Sequence, residues 1–359
     1  MITIAKPYLD EAEIEAVTAV LRSGVIAEGP RVAQFEQAFA EYIGVDHAVA
    51  VNSGTAALHV ALMAHGIGKG DEVITSPFSF VATANSIVYT GAKPVFADIE
   101  PDTYIISADQ VHEMITSRTK AIMPVHLYGH AADMDAIMEI AEDHNLLVIE
   151  DACQAHGATY KGKKVGSFGT GTFSFYPTKN MTTSEGGIIT TDDPDIAARS
   201  RMLRAHGSKQ RYLHEMIGYN FRMTDISAAI GIVQMGRLDE FTEKRRKNAS
   251  KLSMGLKGTK NIILPVEKEN CLHVYHQYTV RTDHRDSLRD ALQQKDIGTG
   301  TYYPLCIHQQ PLYKEMGYTG SYPNSEKAAS EVLSVPVHPA LSDVDINTVI
   351  ASIKEWAQR

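Results

Sequence analysis

Leu146-Leu147-Val148-Ile149-Glu150-Asp151-Ala152-Cys153-Gln154-Ala155-His156 is the stretch on which the fold turns. Four apolar residues bounded by polar ones suit a short strand covered on both faces. The run then closes on two acids. Open α/β sheets bind ligands beyond the carboxyl ends of their strands, so Asp151 stands where a ligand would be met. A carboxylate there is costly to bury unless a cation or several donors meet it. An Asp that only caps a following helix would give the same letters. Cys153 has no His/Asn constellation around it and reads as a small buried residue. His156 fits a core histidine or a site residue equally.

Outward from this stretch the same alternation repeats. Short apolar runs lie at 48–51, 72–75, 94–97 and 121–125, and helical patterns at 56–64, 81–89, 108–115 and 134–142. Two amphipathic helices come first. Asp10 and Glu13 form an Asp version of the capping box ahead of Ile14, Val17, Val20 and Leu21, and a second helix carries Val32, Phe35, Phe39 and Ile43 on one face. Strands separated by helices of this length predict a mostly parallel sheet with crossover helices. Downstream, 188–191 reads as a strand and 193–203 as a helix. One long helical stretch at 225–257 leads to a smaller unit with a strand at 275–281 and helices at 285–294 and 344–356. The expected division is therefore a large domain over 1–240 and a bridging helix with a small domain over 241–359.

Composition narrows the function classes. The 359 residues are 44% hydrophobic, ample for a large core, and the net charge of -9 does not favour a nucleic-acid or anionic-membrane partner. No apolar stretch is of membrane-spanning length, and Thr3, Lys6 and Asp10 come too early for a secretory signal. Cys153, Cys271 and Cys306 are scattered and odd in number, against a disulfide framework or zinc cluster and for a reducing compartment. A cytoplasmic protein with no metal is expected.

Four further segments carry chemistry. Asn52-Ser53-Gly54-Thr55-Ala56-Ala57-Leu58 follows a strand and opens a helix, where free N–H groups and the helix dipole favour a phosphate; a plain Ser N-cap would look alike. Phe173-Ser174-Phe175-Tyr176-Pro177-Thr178-Lys179 runs an aromatic strand into a lysine, followed by small polar residues and the pair Gly186-Gly187. Lysine suits the end of a buried strand only if its amine is used, and a partly deprotonated amine can form an imine with an aldehyde cofactor. Gly218-Tyr219-Asn220-Phe221-Arg222 is a polar loop leading into a helix whose Ala228 and Ala229 permit close packing. Gly298-Thr299-Gly300-Thr301-Tyr302-Tyr303-Pro304 is turn-rich and says little by itself.

Taken in this order, the segments resemble the DegT/DnrJ/EryC1/StrS sugar aminotransferases, a branch of the fold-type I pyridoxal-phosphate enzymes. The likeness runs from Lys6-Pro7 to Pro336-Val337-His338-Pro339. It implies a large α/β/α domain with a mostly parallel sheet and a small C-terminal α+β domain. By position, Lys179 matches the lysine that binds pyridoxal 5'-phosphate covalently and later moves the proton. Asp151 matches the acid at the pyridine nitrogen, and Gln154 the residue near the ring hydroxyl. Gly54, Thr55 and Ser174 match phosphate positions, and Phe80 the aromatic over the ring. Asn220 matches a residue that reaches the phosphate from the other subunit, so a homodimer with shared sites is implied. Tyr302, His308 and His214 are the substrate-side candidates.

The implied reaction has two halves, with L-glutamate as amino donor and a nucleotide-linked keto sugar as acceptor. Arg211-Tyr212-Leu213-His214, Val125-His126-Leu127-Tyr128-Gly129 and Ala132-Asp133-Met134-Asp135 look most like perosamine-synthase-type relatives, which aminate C4 of 4-keto-6-deoxy sugars. Amination of a 3-keto sugar is the alternative. Ala27, Tyr302 and Ser184 depart from the usual polar residue, histidine and glycine at their positions. Dehydratase relatives carry histidine in place of Lys179. A dinucleotide enzyme would show a Gly-rich fingerprint that Ser53-Gly54-Thr55 lacks. A non-catalytic cofactor-binding regulator is a further rival.

Overall fold

A computed structural model describes residues 1–358. Seven strands form one sheet: β1 (His47–Val51), β2 (Glu72–Thr75), β3 (Lys93–Phe96), β4 (Thr119–Met123), β5 (Leu147–Asp151), β6 (Thr170–Ser174) and β7 (Gly187–Thr191). Their spatial order is β1-β7-β6-β5-β4-β2-β3. The run from β6 to β3 is parallel, whereas β7 lies antiparallel to both β6 and β1. Periodicity marked β7 as a strand but carried no direction. The chain enters it from a loop holding Pro177 and Gly186 rather than from a crossover helix, so it turns back along β6.

Helices cover both faces. α1 (Glu11–Ser23) starts where the Asp10 carboxylate accepts from Ala12 N–H and Glu13 accepts from Asp10 N–H, and it stops at Gly24, φ 74°. α2 (Pro30–Ile43) buries Val32, Phe35, Phe39 and Ile43. Its Phe39 meets Phe173 of β6 at 5.0 Å between ring centres. α3 (Gly54–Ala64) is buried almost all round, as a helix between sheet and outer layer must be.

The single helix expected over 225–257 is two: Asp225–Met235 and Leu238–Leu256. Gly236 and Arg237 separate them, and the Arg237 guanidinium is held by Asp10 and Glu13 of α1. Asp225, at the start of the first, caps α2 by accepting from Val32 N–H at 2.9 Å and Arg31 N–H at 3.2 Å. A side chain at Gly29 would sit 2.7 Å from that carboxylate, which reserves the position for glycine.

Beyond the second helix lies a smaller core. Ala249, Leu252 and Leu256 pack against Tyr278, Val280, Leu333, Val335, Ile346 and Ile353. The strand expected at 275–281 narrows to Tyr278–Arg281, because Tyr275 takes φ 45°, and it pairs antiparallel with Val332–Val335. This unit returns to the large sheet: Ile307 N–H donates to the Pro77 carbonyl beyond β2. No helix among the described residues is long and apolar enough to cross a membrane.

Candidate active site

The carboxyl ends of β1, β2, β5 and β6 lie along one edge of the sheet, and the segments leaving them carry Ser53 to Thr55, Ser79 and Phe80, Cys153 and Gln154, and Tyr176 to Lys179. These segments enclose a cavity of about 360 Å³, closed on the far side by His276, Gln277, Tyr302 and Tyr303 from the smaller unit. Its size is that of a small-molecule site. Gly54, Thr55, Phe80, Asp151, Gln154, Ser174, Lys179 and Tyr302 all line it.

Ser53 caps α3 by accepting from Ala56 N–H at 3.1 Å, leaving the N–H groups of Gly54 and Thr55 in the first turn outside the intrahelical ladder. Gly54 allows this turn to press on β6, since a side chain there would lie 2.5 Å from Ser174 Cβ. One corner of the cavity therefore presents backbone N–H groups, the helix dipole and two hydroxyls, a setting for a phosphate.

Asp151 is buried at the centre. Oδ1 accepts from Cys153 N–H at 3.2 Å and Oδ2 from the Thr83 hydroxyl at 2.7 Å, with Ser79 a further 2.9 Å from that hydroxyl. Both oxygens thus act as acceptors, so the group can also accept from a protonated ring nitrogen. Lys179 follows a turn closed by its N–H on the Tyr176 carbonyl. Burial lowers its ammonium below the usual lysine range, opposed by Cys153 and Asp151, and so enlarges the share of neutral amine. Gln154 accepts from Tyr128 N–H at 2.9 Å and donates to Tyr303 at 3.0 Å. Phe80 keeps one face open, with 54% of its surface exposed.

The other candidates of these segments resolve by position. Burial raises the Cys153 thiol well above its usual range, so it stays protonated. His156 lies outside the cavity, packed on Phe173 and Phe175, and burial holds it down at about 3, hence neutral. Glu150 points to the opposite face of β5 from Asp151. It accepts from the N–H groups of Gly166, Phe168 and Gly169 and from His126, whose Nδ1 accepts from Ala132 N–H.

Three sequence candidates do not line the cavity of their own chain. Asn220 is exposed, its carbonyl accepting from Asn52 at 3.4 Å. His214 is exposed on the hairpin Ser208–Gln210 and Leu213–His214, with Nδ1 2.9 Å from the His206 carbonyl. His308 is buried among Glu326 at 3.2 Å, Tyr322 and Phe96, a packing cluster separate from the cavity lining. Conversely, Thr83, His276, Gln277 and Tyr303 were not singled out from sequence. Two adjacent polar residues, His276 and Gln277, just ahead of the strand Tyr278–Arg281 were the available signal.

A lysine with a lowered amine, a sheet-centre carboxylate and a helix-capped phosphate corner fit one group, and define a pyridoxal-phosphate-dependent aminotransferase of fold type I. The chain belongs to the DegT/DnrJ/EryC1/StrS aminotransferase family, whose profile matches residues 7–354. It is 43% identical to GDP-perosamine synthase of Caulobacter vibrioides, over 99% of this chain and 98% of that protein. It is 42% identical to dTDP-3-amino-3,4,6-trideoxy-alpha-D-glucose transaminase of Streptomyces venezuelae, over 98% and 96%. The X-ray structure of S. venezuelae DesV in complex with a ketimine intermediate superposes with a TM-score of 0.96 at 41% identity, covering 99% of this chain and all (100%) of that one. The protein is accordingly a sugar aminotransferase.

Proposed function

We propose that the protein transfers an amino group from L-glutamate to C4 of a nucleotide-linked 4-keto-6-deoxy sugar, in a site completed by a second copy of the chain. The observation that carries the reading is the convergence of Lys179, Asp151, Gln154 and the Gly54-Thr55 turn on one cavity. The C4 assignment rests on the segments shared with perosamine-synthase-type relatives.

Pyridoxal phosphate, when bound, supplies an aldehyde that captures amines and a ring that takes up the electrons of a broken C–H bond. The protein does the rest. Gly54 and Thr55 N–H groups and the Ser174 hydroxyl hold the phosphate. Asp151 accepts from the ring nitrogen and keeps it protonated. Gln154 donates to the ring hydroxyl, and Phe80 covers one face. Lys179 Nζ would hold the cofactor and, when free, would take the proton from the donor carbon. In the return half it gives a proton to the sugar carbon.

Asn220 reaches the phosphate of the partner's cavity in this reading. Support comes from its exposure and from its absence from the lining of its own cavity, its carbonyl meeting Asn52 just beside the Ser53 turn. Ile217, three residues before Asn220 in the chain, is 84% exposed, and Ile14, Leu21, Val25 and Ile26 are also outward.

Amination at C3 is the second reading. It is favoured by Tyr302, which lines the cavity where relatives carry histidine, and by a nearly equal likeness to the 3-amino sugar enzyme. Purified protein is to be assayed with glutamate and paired 3-keto and 4-keto nucleotide sugars, and the position of the new C–N bond read by NMR. Product aminated only at C3 refutes the C4 assignment; no product from either, with glutamate half-reaction intact, places the substrate outside both.

A further inference from the structure

Gln154 joins the ring-side wall of the cavity to the segment that closes it, and its amide orientation is fixed by the backbone. Tyr128 N–H can only donate, so the Gln154 atom 2.9 Å away must be the carbonyl oxygen. The amide nitrogen therefore faces Tyr303, 3.0 Å from the phenol oxygen, and there it can only donate. The phenol oxygen accepts, which leaves Tyr303 its own hydrogen to give elsewhere. No other hydrogen bond from that phenol is made among the described residues.

The ring that carries this donor is firmly placed. Tyr303 lies 6.0 Å from Phe80 at a tilt of 37° and meets Phe78 edge-on at 6.5 Å. The neighbouring Tyr302 carbonyl accepts from the Tyr128 hydroxyl, so Tyr128 braces both Gln154 and the closing segment. Tyr303 lines the cavity together with Asp151, Gln154 and Lys179. Burial first, and the Asp151 charge next, raise its phenol far above the usual range, so it remains a donor at every working pH.

We propose that Tyr303 contacts the cofactor directly, as a second hydrogen-bond donor to the ring hydroxyl oxygen beside Gln154. The inference rests on the cofactor placement given above. A ring oxygen that accepts from two protein donors has less hold on the proton it shares with the nitrogen joining Lys179 to the cofactor. Tyr303 thereby lowers the pH at which that proton leaves, favouring the neutral nitrogen linkage when the amino donor arrives.

The test uses full-length protein reconstituted with pyridoxal phosphate, titrated with pH while the visible absorption of the Lys179-linked cofactor is followed. Tyr303→Phe is expected to raise the titration midpoint by about one unit, the scale of one charge-assisted hydrogen bond. The same substitution made on Gln154→Leu is expected to raise it again relative to Gln154→Leu alone. A midpoint unmoved by Tyr303→Phe overturns the proposal, including the case where only KM for the sugar rises. A shift that disappears in the Gln154→Leu background also overturns it, since Tyr303 would then act only through Gln154. Wild-type protein with no borohydride-stable cofactor link at Lys179 overturns the reading of the cavity itself and this proposal with it, and so is distinguished from failure at Tyr303 alone.

Discussion

Glu150 and Asp151 are neighbours in sequence and lie on opposite faces of β5, and the two faces use a buried carboxylate in opposite ways. Glu150 is fully buried and meets four donors, three backbone N–H groups and the His126 ring. Burial works to raise its carboxyl, yet His126 and those N–H groups hold it below the ordinary range. Asp151 has two protein donors, and it faces a cavity shared with a lysine. Saturation of donors marks a carboxylate that fastens the fold, and spare acceptor capacity beside an opening marks one that serves a ligand.

Substitutions can break or sharpen that contrast. The largest effect belongs to the cavity: Lys179→Ala should lower turnover by at least about three orders of magnitude while circular dichroism stays native, since in the proposed reaction cofactor anchor and proton carrier are one group. Normal turnover in that variant would end the cofactor reading. Asp151→Asn should cost about 10²- to 10³-fold in turnover, the scale of losing one preorganised electrostatic partner, with little change in thermal midpoint. Glu150→Gln should do the reverse. Buried N–H groups lose their acceptor, destabilising the fold by roughly 1–3 kcal/mol, while activity per folded molecule changes little.

The pH dependence separates the two faces again. The Glu150 carboxyl is depressed in the folded protein, so its contribution is complete above the unfolded carboxylate range near 4.5. It is lost as pH falls through the lower folded value. Denaturant midpoints measured against pH should fall less steeply on the acid side in Glu150→Gln than in wild type; parallel curves would deny Glu150 its fastening role. The smallest expected effect is Asn220→Ala, which should weaken cofactor affinity by roughly tenfold, about one hydrogen bond to a charged group. Unchanged affinity in an intact dimer would remove Asn220 from the proposed shared site.

Much of this was legible in the letters. Apolar runs and helical periods located β1 to β5 and α1 to α3, because burial imposes those patterns directly. Asp151 and Lys179 were legible as cavity residues since each sets a charged side chain at or just beyond the end of an apolar strand, and the Ser53 to Thr55 turn since it leaves a strand and opens a helix. Direction and closure were not. The run 188–191 is equally apolar in a strand of either direction, and the break at Gly236-Arg237 depends on Asp10 and Glu13 far upstream. Thr83 reads as an ordinary helix residue, and only the fold brings its hydroxyl to Asp151. Tyr303 stood in a quoted segment without a role, since its significance comes from the orientation of Gln154.

The antiparallel placement of β7 also sets an order of assembly. β1 is the first strand to be synthesised, yet its only strand partner in the sheet is β7, at Gly187–Thr191. A chain leaving the ribosome can assemble β2 to β5 from near neighbours, whereas β1 and the Ser53 to Thr55 turn behind it must wait for the chain to return. The corner proposed for the phosphate is thus completed late, after the strand bearing Asp151 has been made, and a nascent chain should acquire pyridoxal phosphate affinity only once β7 has emerged.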